Sequence, residues 1–187
     1  MKLPDPLWLG LLYTFSELWL GITRRSRGAA VSHDRKSLRI LWIVILASIF
    51  FGIEAAYWFP SAEMPYRPLL RVIGLFVFVF GLALRWYSIG YLGRFFTVDV
   101  AIHSGQRVIE TGPYRFIRHP SYTGAMLAFL GLGLSLGNWW SLAVFILPTF
   151  LAFLVRIEVE ERALAEAMGE QYRSYQLRTK RLVPFLY

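Results

Sequence analysis

Arg118, His119, Ser121 and Tyr122 stand almost side by side in the run from Gly112 to Gly124, GPYRFIRHPSYTG. The run lies between two long apolar segments. Charged and hydrogen-bonding side chains are costly at a membrane boundary unless they pair or bind something. The run therefore reads as a polar pocket built at a membrane surface. Pro120 disfavours a helical conformation at His119 and suits the first turn of a helix. His119 is thus expected at a helix entrance, where backbone N–H groups from Ser121 onward are open to an anion such as a carboxylate. The plainer alternative is a capped helix start whose arginines meet lipid headgroups.

A second cluster, RIEVEER, runs from Arg156 to Arg162. Arg156 and Glu160 stand at helical (i, i+4) spacing and share a face. On their own they make a helix-stabilising pair worth a few tenths of a kcal/mol. Arg156, however, sits at the end of an apolar segment, and a charge there marks a partner or a ligand. Glu158 and Arg162 read as surface charge.

Other chemistries are excluded by composition. The chain has no cysteine, so it has neither a disulfide nor a thiol nucleophile. His33, His103 and His119 are scattered without metal-ligand spacing, so no metal site is expected. The net charge of +8 would suggest nucleic acid in a soluble protein. Here the positive residues fall in loops beside apolar segments, which is the pattern of membrane topology. No nucleic-acid partner is expected.

These groups need elements to hold them. Charged residues make up 17% of the chain and hydrophobic ones 56%, against about 25% and about half in soluble domains, so the excess apolar surface needs lipid. A spanning helix takes about 20 mostly apolar residues. Segments at about 6–22, 38–59, 69–92, 121–137 and 139–157 qualify. A signal peptide at 6–22 is disfavoured, because Lys2 is a thin basic start and no small-residue cleavage site follows. Gly137-Asn138 alone separates the last two segments, which predicts a tight helical hairpin. Residues 93–120 form a long loop of the kind that carries function. Residues 158–178 switch to an amphipathic helical pattern through Val159, Leu164, Ala167 and Met168. Gly133 and Gly137 form GxxxG, expected to let helices approach closely. A soluble Rossmann fold is excluded by apolar segments too long for strands.

The charges orient the bundle. Arg24, Arg25, Arg27, Arg35, Lys36 and Arg39 face Asp34 alone in the loop after the first helix, which makes that side cytoplasmic. Five helices with the N-terminus outside then return loop 93–120 and the tail with Arg173, Arg178, Lys180 and Arg181 to the inside. Glu17, Glu54 and Arg85 lie within apolar segments, where each is costly without compensation. Glu17 and Arg85 are both toward the inner side and are placed to pair with each other or with Arg156.

The two clusters, with Gly169, Tyr172, Tyr175 and the ending Leu182-Val183-Pro184-Phe185, resemble the isoprenylcysteine carboxyl methyltransferase family, whose core pattern is shared with membrane phospholipid methyltransferases. The resemblance covers roughly residues 82–186, starting at Leu82-Ala83-Leu84-Arg85-Trp86. It implies one all-α integral membrane methyltransferase domain over 1–187. Residues 1–92 would give three transmembrane helices, and 93–187 the cofactor-binding and catalytic part, with a cytoplasmic loop and a C-terminal helix. It implies S-adenosylmethionine as methyl donor and a lipophilic, isoprenylcysteine-like or lipidated substrate presented among membrane lipids. The matching arginine holds the substrate and the matching glutamate binds the cofactor, which gives Arg156 and Glu160 those catalytic roles. Gln106, Arg107, Val108 and Ile109 would run along the cofactor, with Tyr114, His119, Pro120, Ser121 and Tyr122 completing its site. Asp99 stays open, and Tyr172 and Tyr175 either close the pocket or anchor the tail. Methylation of a phospholipid headgroup amine is the nearest alternative. Membrane sterol reductases, which use NADPH, share a related Arg-His and tyrosine pattern. The His119-Pro120 and Glu160-Glu161 pairs favour methyl transfer.

Overall fold

Asp5 and Pro6 begin the first helix as their chemistry dictates. The Asp5 carboxylate accepts from the Leu7 N–H at 2.9 Å, and Pro6 takes the first helical position. The computed structural model describes residues 3–24, 34–99, 105, 107–184 and 187. Six α-helices follow one another: α1 (Pro6–Thr23), α2 (Asp34–Trp58), α3 (Arg67–Leu92), α4 (Pro120–Leu136), α5 (Trp139–Met168) and α6 (Glu170–Arg178). Among the described residues, β-structure is confined to two isolated bridges. The expected all-α membrane architecture holds. Helices α2, α3 and α5 are long and apolar enough to cross a membrane, and α4 is a shorter apolar helix. Helix α1 has 18 residues and carries Glu17 within its apolar run.

The predicted hairpin between α4 and α5 is present. Gly137 closes α4 at φ 64°, a left-handed conformation that costs glycine little. Asn138 then caps α5 by accepting from the Trp140 and Ser141 N–H groups at 3.0 and 3.1 Å. This corrects the GxxxG expectation, because Gly137 ends a helix and does not line a packing groove. Gly133 instead faces Leu142 across the hairpin. Close helix approach is carried by Gly74 and Gly81 of α3 against Gly124 and Gly131 of α4. A Cβ on Gly81 would lie 2.5 Å from Ala128 N, and one on Gly124 2.5 Å from Arg85 N. Backbone meets backbone there, so no side chain fits. Where lipid is as apolar as leucine, such contact is what binds helices together.

Helix α5 also departs from expectation. It does not stop near residue 157 but runs on to Met168, 30 residues in all. At 1.5 Å per residue it is about 45 Å long, well beyond a hydrocarbon core of about 30 Å. Its final turns therefore stand clear of the membrane and carry Glu158 to Arg162 with them.

The inner core is aromatic. Tyr13, Phe78, Phe129, Phe145 and Phe153 are all buried, with Tyr13 against Phe129 at 4.8 Å between ring centroids. Trp8, Phe15, Trp19, Phe76, Phe80 and Leu151 face outward, as a lipid-facing surface requires. Within the bundle, Arg85 and Glu17 form the pair that the sequence allowed. Arg85 Nε and Nη2 donate to the two carboxylate oxygens at 2.5 and 2.6 Å, and Nη1 donates to the Ser121 carbonyl at 3.2 Å. A bidentate fork satisfies both buried charges. It also ties α1 and α3 to the first turn of α4. Glu54 is only partly buried, toward the far end of α2.

Candidate active site

The start of α4 is held from both sides. Residues 117–119 run beside the tail, with the Arg118 N–H donating to Lys180 O at 2.8 Å and the His119 N–H to Arg181 O at 3.0 Å. The Thr123 hydroxyl reaches Leu182 O at 2.7 Å. His119 is the N-cap of α4, as the following proline predicts. Its ring stacks on Tyr122 at 5.6 Å and 16°, and Tyr122 in turn stacks on Phe153 of α5 at 5.0 Å.

The extended end of α5 brings carboxylates to this entrance. The Tyr122 hydroxyl donates to Glu160 Oε2 at 2.9 Å. Glu161, on the neighbouring position, accepts from Arg118 Nε at 2.7 Å, Arg181 Nε at 3.0 Å and the His119 ring at 3.1 Å. Arg118 also donates to the carbonyls of Gln176 and Thr179, binding α6 and the tail to the same point.

The loop before α4 makes the opposite wall. A 3-10 turn over Gly112–Arg115 begins at Gly112, whose φ of 57° and close contact with the Tyr91 ring leave no room for a side chain. The turn buries Tyr114, whose hydroxyl donates to Ser88 O at 3.1 Å. The Tyr175 hydroxyl of α6 donates to Tyr114 O at 2.7 Å. Burial, with the nearby carboxylate of Glu160 adding to it, pushes the Tyr114 and Tyr172 hydroxyls up from their ordinary range. Burial also raises Tyr175. All three phenols stay protonated at neutral pH.

Between these walls lies an open cleft with both polar and apolar lining. Arg107, Val108, Ile109 and Tyr114 line it together with Arg118, His119 and Glu160. Leu92, Phe95, Leu164, Met168, Tyr172 and Tyr175 complete the lining. Most residues expected to bind the cofactor thus meet in one place. Tyr122 joins through its bond to Glu160. Pro120 and Ser121 build the helix entrance behind the wall, and Ser121 turns its carbonyl to Arg85. Gln106 lies outside the described residues. Asp99 is buried beside the cleft without lining it.

Arg156 stands deeper, also off the cleft wall. It is 2% exposed and donates to Ser37 Oγ at 2.9 Å and to Val98 O at 2.7 Å. It therefore joins α2, α5 and the segment after α3. Glu158 pairs with Arg162 at 2.9 Å on the surface, as expected. Sequence reasoning missed Arg118 and Glu161 as organisers of the site, and Leu164 and Met168 as lining. The signal for the last two was present, since both continue the face of Glu160 at helical spacing. Among the described residues no cluster suits a metal ion.

Residues 72–166 match the family model described as isoprenylcysteine carboxyl methyltransferase. A probable protein-S-isoprenylcysteine O-methyltransferase of Oryza sativa subsp. indica is 30% identical over 168 residues, covering 84% of this chain and 87% of the relative. The protein-S-isoprenylcysteine O-methyltransferase of Saccharomyces cerevisiae is 32% identical over 120 residues, covering 63% of this chain and 50% of that protein. The solved structure of a eukaryotic intramembrane Ras methyltransferase matches with a TM-score of 0.70 at 25% identity, covering 100% of this chain and 70% of that one.

Proposed function

This chain belongs to the isoprenylcysteine carboxyl methyltransferase family and is an integral membrane methyltransferase, and from that premise we propose that it methylates the carboxylate of a lipophilic, isoprenylcysteine-like substrate with S-adenosylmethionine as donor. The observation that carries this reading is the order of residues on α5. Arg156 stands at the end of the apolar run of α5, and Glu160 lies one turn farther along, on the wall of the cleft. A substrate arriving from lipid and a donor arriving from water are thereby drawn to adjacent turns.

The cleft suits the donor chemically. S-adenosylmethionine combines a flat apolar ring with an ammonium, a sulfonium and a carboxylate. Glu160 offers a carboxylate to the cationic groups, Arg107 a guanidinium to the anionic one, and Phe95, Leu164 and Met168 offer apolar surface to the ring. When bound, the donor supplies a sulfonium methyl group, which becomes bonded to a carboxylate oxygen as its bond to sulfur breaks, leaving an ester and a thioether.

The chain's task is positioning, since an in-line displacement depends on alignment. Arg156 would hold the substrate carboxylate, as the family resemblance implies; in this structure it is buried off the cleft wall with its guanidinium tied to Ser37 and Val98. Glu160, aimed by Tyr122, receives the positive charge. Opposite charges neutralise as the reaction proceeds, so exclusion of water by Tyr114, Tyr172 and Tyr175 assists it. No general base is required. The relatives named above include neither a phospholipid N-methyltransferase nor a sterol reductase. The arginine-rich loop and tail support a site on the cytoplasmic side, with the N-terminus outside.

Calorimetry of S-adenosylmethionine, S-adenosylhomocysteine and NADPH against detergent-purified wild type and Glu160→Ala tests the reading. Adenosyl binding weakened by Glu160→Ala, followed by methyl transfer to a prenylcysteine, supports it. Binding of NADPH alone overturns it.

A further inference from the structure

Glu161 is 4% exposed and does not line the cleft, yet the side chains around it define the cleft's polar wall. Arg118 Nε and His119 Nε2 meet its Oε1 at 2.7 and 3.1 Å, while Arg181 Nε meets its Oε2 at 3.0 Å. Two guanidinium groups keep the carboxylate ionised, and an ionised carboxylate only accepts hydrogen bonds. His119 Nε2 therefore carries a proton. In a neutral imidazole the other nitrogen then keeps its lone pair. That nitrogen, Nδ1, lies 4.0 Å from Glu160 Oε2. Glu160 Oε2 already accepts from Tyr122. His119 and Glu160 both line the cleft, and these two acceptor atoms are too far apart to bond each other and spaced to share a donor from a ligand.

We propose that Glu161 is a positioning residue that fixes the tautomer of His119. By taking the Nε2–H it turns the Nδ1 lone pair toward the cleft, where Nδ1 and Glu160 together receive an N–H group of the ligand. This rests on the reading of the cleft as an adenosyl-donor site and assigns a role to a residue outside it. A purely structural role, clasping the tail through Arg181, predicts something different. Arg181 and His119 use different oxygens of the carboxylate, so the two roles can be separated.

The test is nitrogen NMR of the full-length protein labelled with 15N-histidine, in lipid nanodiscs at neutral pH, with His119→Asn identifying the signals of His119. Wild type and Arg181→Leu are expected to show a protonated Nε2 and a bare Nδ1. Glu161→Leu, which removes the acceptor altogether, is expected to lose that bias and to bind S-adenosylhomocysteine about tenfold more weakly, the lower end of what the partner behind a metal-binding histidine is worth. A bare Nε2 in wild type, or protons on both nitrogens, overturns the proposal. So does an unchanged nitrogen signature in folded Glu161→Leu. Should Glu161→Leu fail to fold, wild type and Arg181→Leu decide, because a tautomer that changes in Arg181→Leu assigns the effect to the tail. A wild type that keeps the Nε2 proton but binds no adenosyl ligand overturns the functional reading and leaves the tautomer assignment standing.

Discussion

The Tyr122 hydroxyl of α4 donates to Glu160 Oε2 of α5 at 2.9 Å, so the carboxylate on the cleft wall is aimed by a ring from the neighbouring helix. Tyr122→Phe removes that bond and leaves the stacking on His119 and Phe153 intact. A neutral donor to a carboxylate is worth about 1.5–3 kcal/mol, so calorimetry should show S-adenosylhomocysteine bound more weakly by roughly 10- to 150-fold. Glu160→Gln, which also removes the charge, should lose at least as much. Equal affinity in Tyr122→Phe and wild type would show that Glu160 is not held by this bond.

Arg156 tests the division of labour along α5. Lysine keeps the charge but lacks the planar fork. Arg156→Lys is expected to cut methyl transfer by about 100-fold, the scale of a misplaced reactant, while adenosyl affinity changes less than about threefold. Loss of both together would place Arg156 in the framework of the bundle and not at the substrate.

The ion pair between Arg85 and Glu17 predicts non-additive stability. Removing one partner of a buried pair costs about 3–5 kcal/mol, because the other charge is stranded. Arg85→Met should therefore lower the unfolding temperature in detergent sharply. Adding Glu17→Leu to it should restore part of the loss, since an apolar pair replaces an ionic one. A double variant as unstable as the sum of the single ones would argue against the pairing.

Two glycines of α3 should respond in opposite directions. Gly81 meets the backbone of α4, so Gly81→Ala overpacks the interface and should cost about 1–3 kcal/mol. Gly90 has open space around its Cβ position, so Gly90→Ala should be neutral or stabilise by about 0.5–1 kcal/mol through helix propensity. Thermal unfolding of the two variants side by side checks the helix contact directly.

Much of the bundle was legible because membrane helices announce themselves by length and by punctuation. Asp5-Pro6, Pro120 and Gly137-Asn138 mark helix ends where the structure has them. His119 and Glu160 stood out as polar groups beside lipid, Arg107 and the cofactor role of Tyr114 came only through the family resemblance, and all four line the cleft. The continuation of α5 was not, since the pattern changes from apolar to amphipathic at residue 158 without any helix-breaking residue before Gly169. The close packing of α3 and α4 was also hidden. It uses glycines seven residues apart on two helices, and their pairing is fixed only by the tertiary contact. The grouping of Arg118, His119, Glu161 and Arg181 depends on the tail lying beside residues 117–119, a long-range arrangement with no local signature.

Helix α4 has 17 residues, about 26 Å of length, against a hydrocarbon core of about 30 Å. A span this short is accommodated by thinning of the bilayer, by snorkelling of flanking residues or by oligomerisation. His119 begins α4, and its contacts with Glu160 and Glu161 tie the level of that entrance to the last turns of α5. The depth at which water-borne and lipid-borne molecules meet is then set by the length of one helix. Bilayers of increasing acyl-chain length should accordingly titrate the reaction, with thicker membranes submerging the cleft and slowing it.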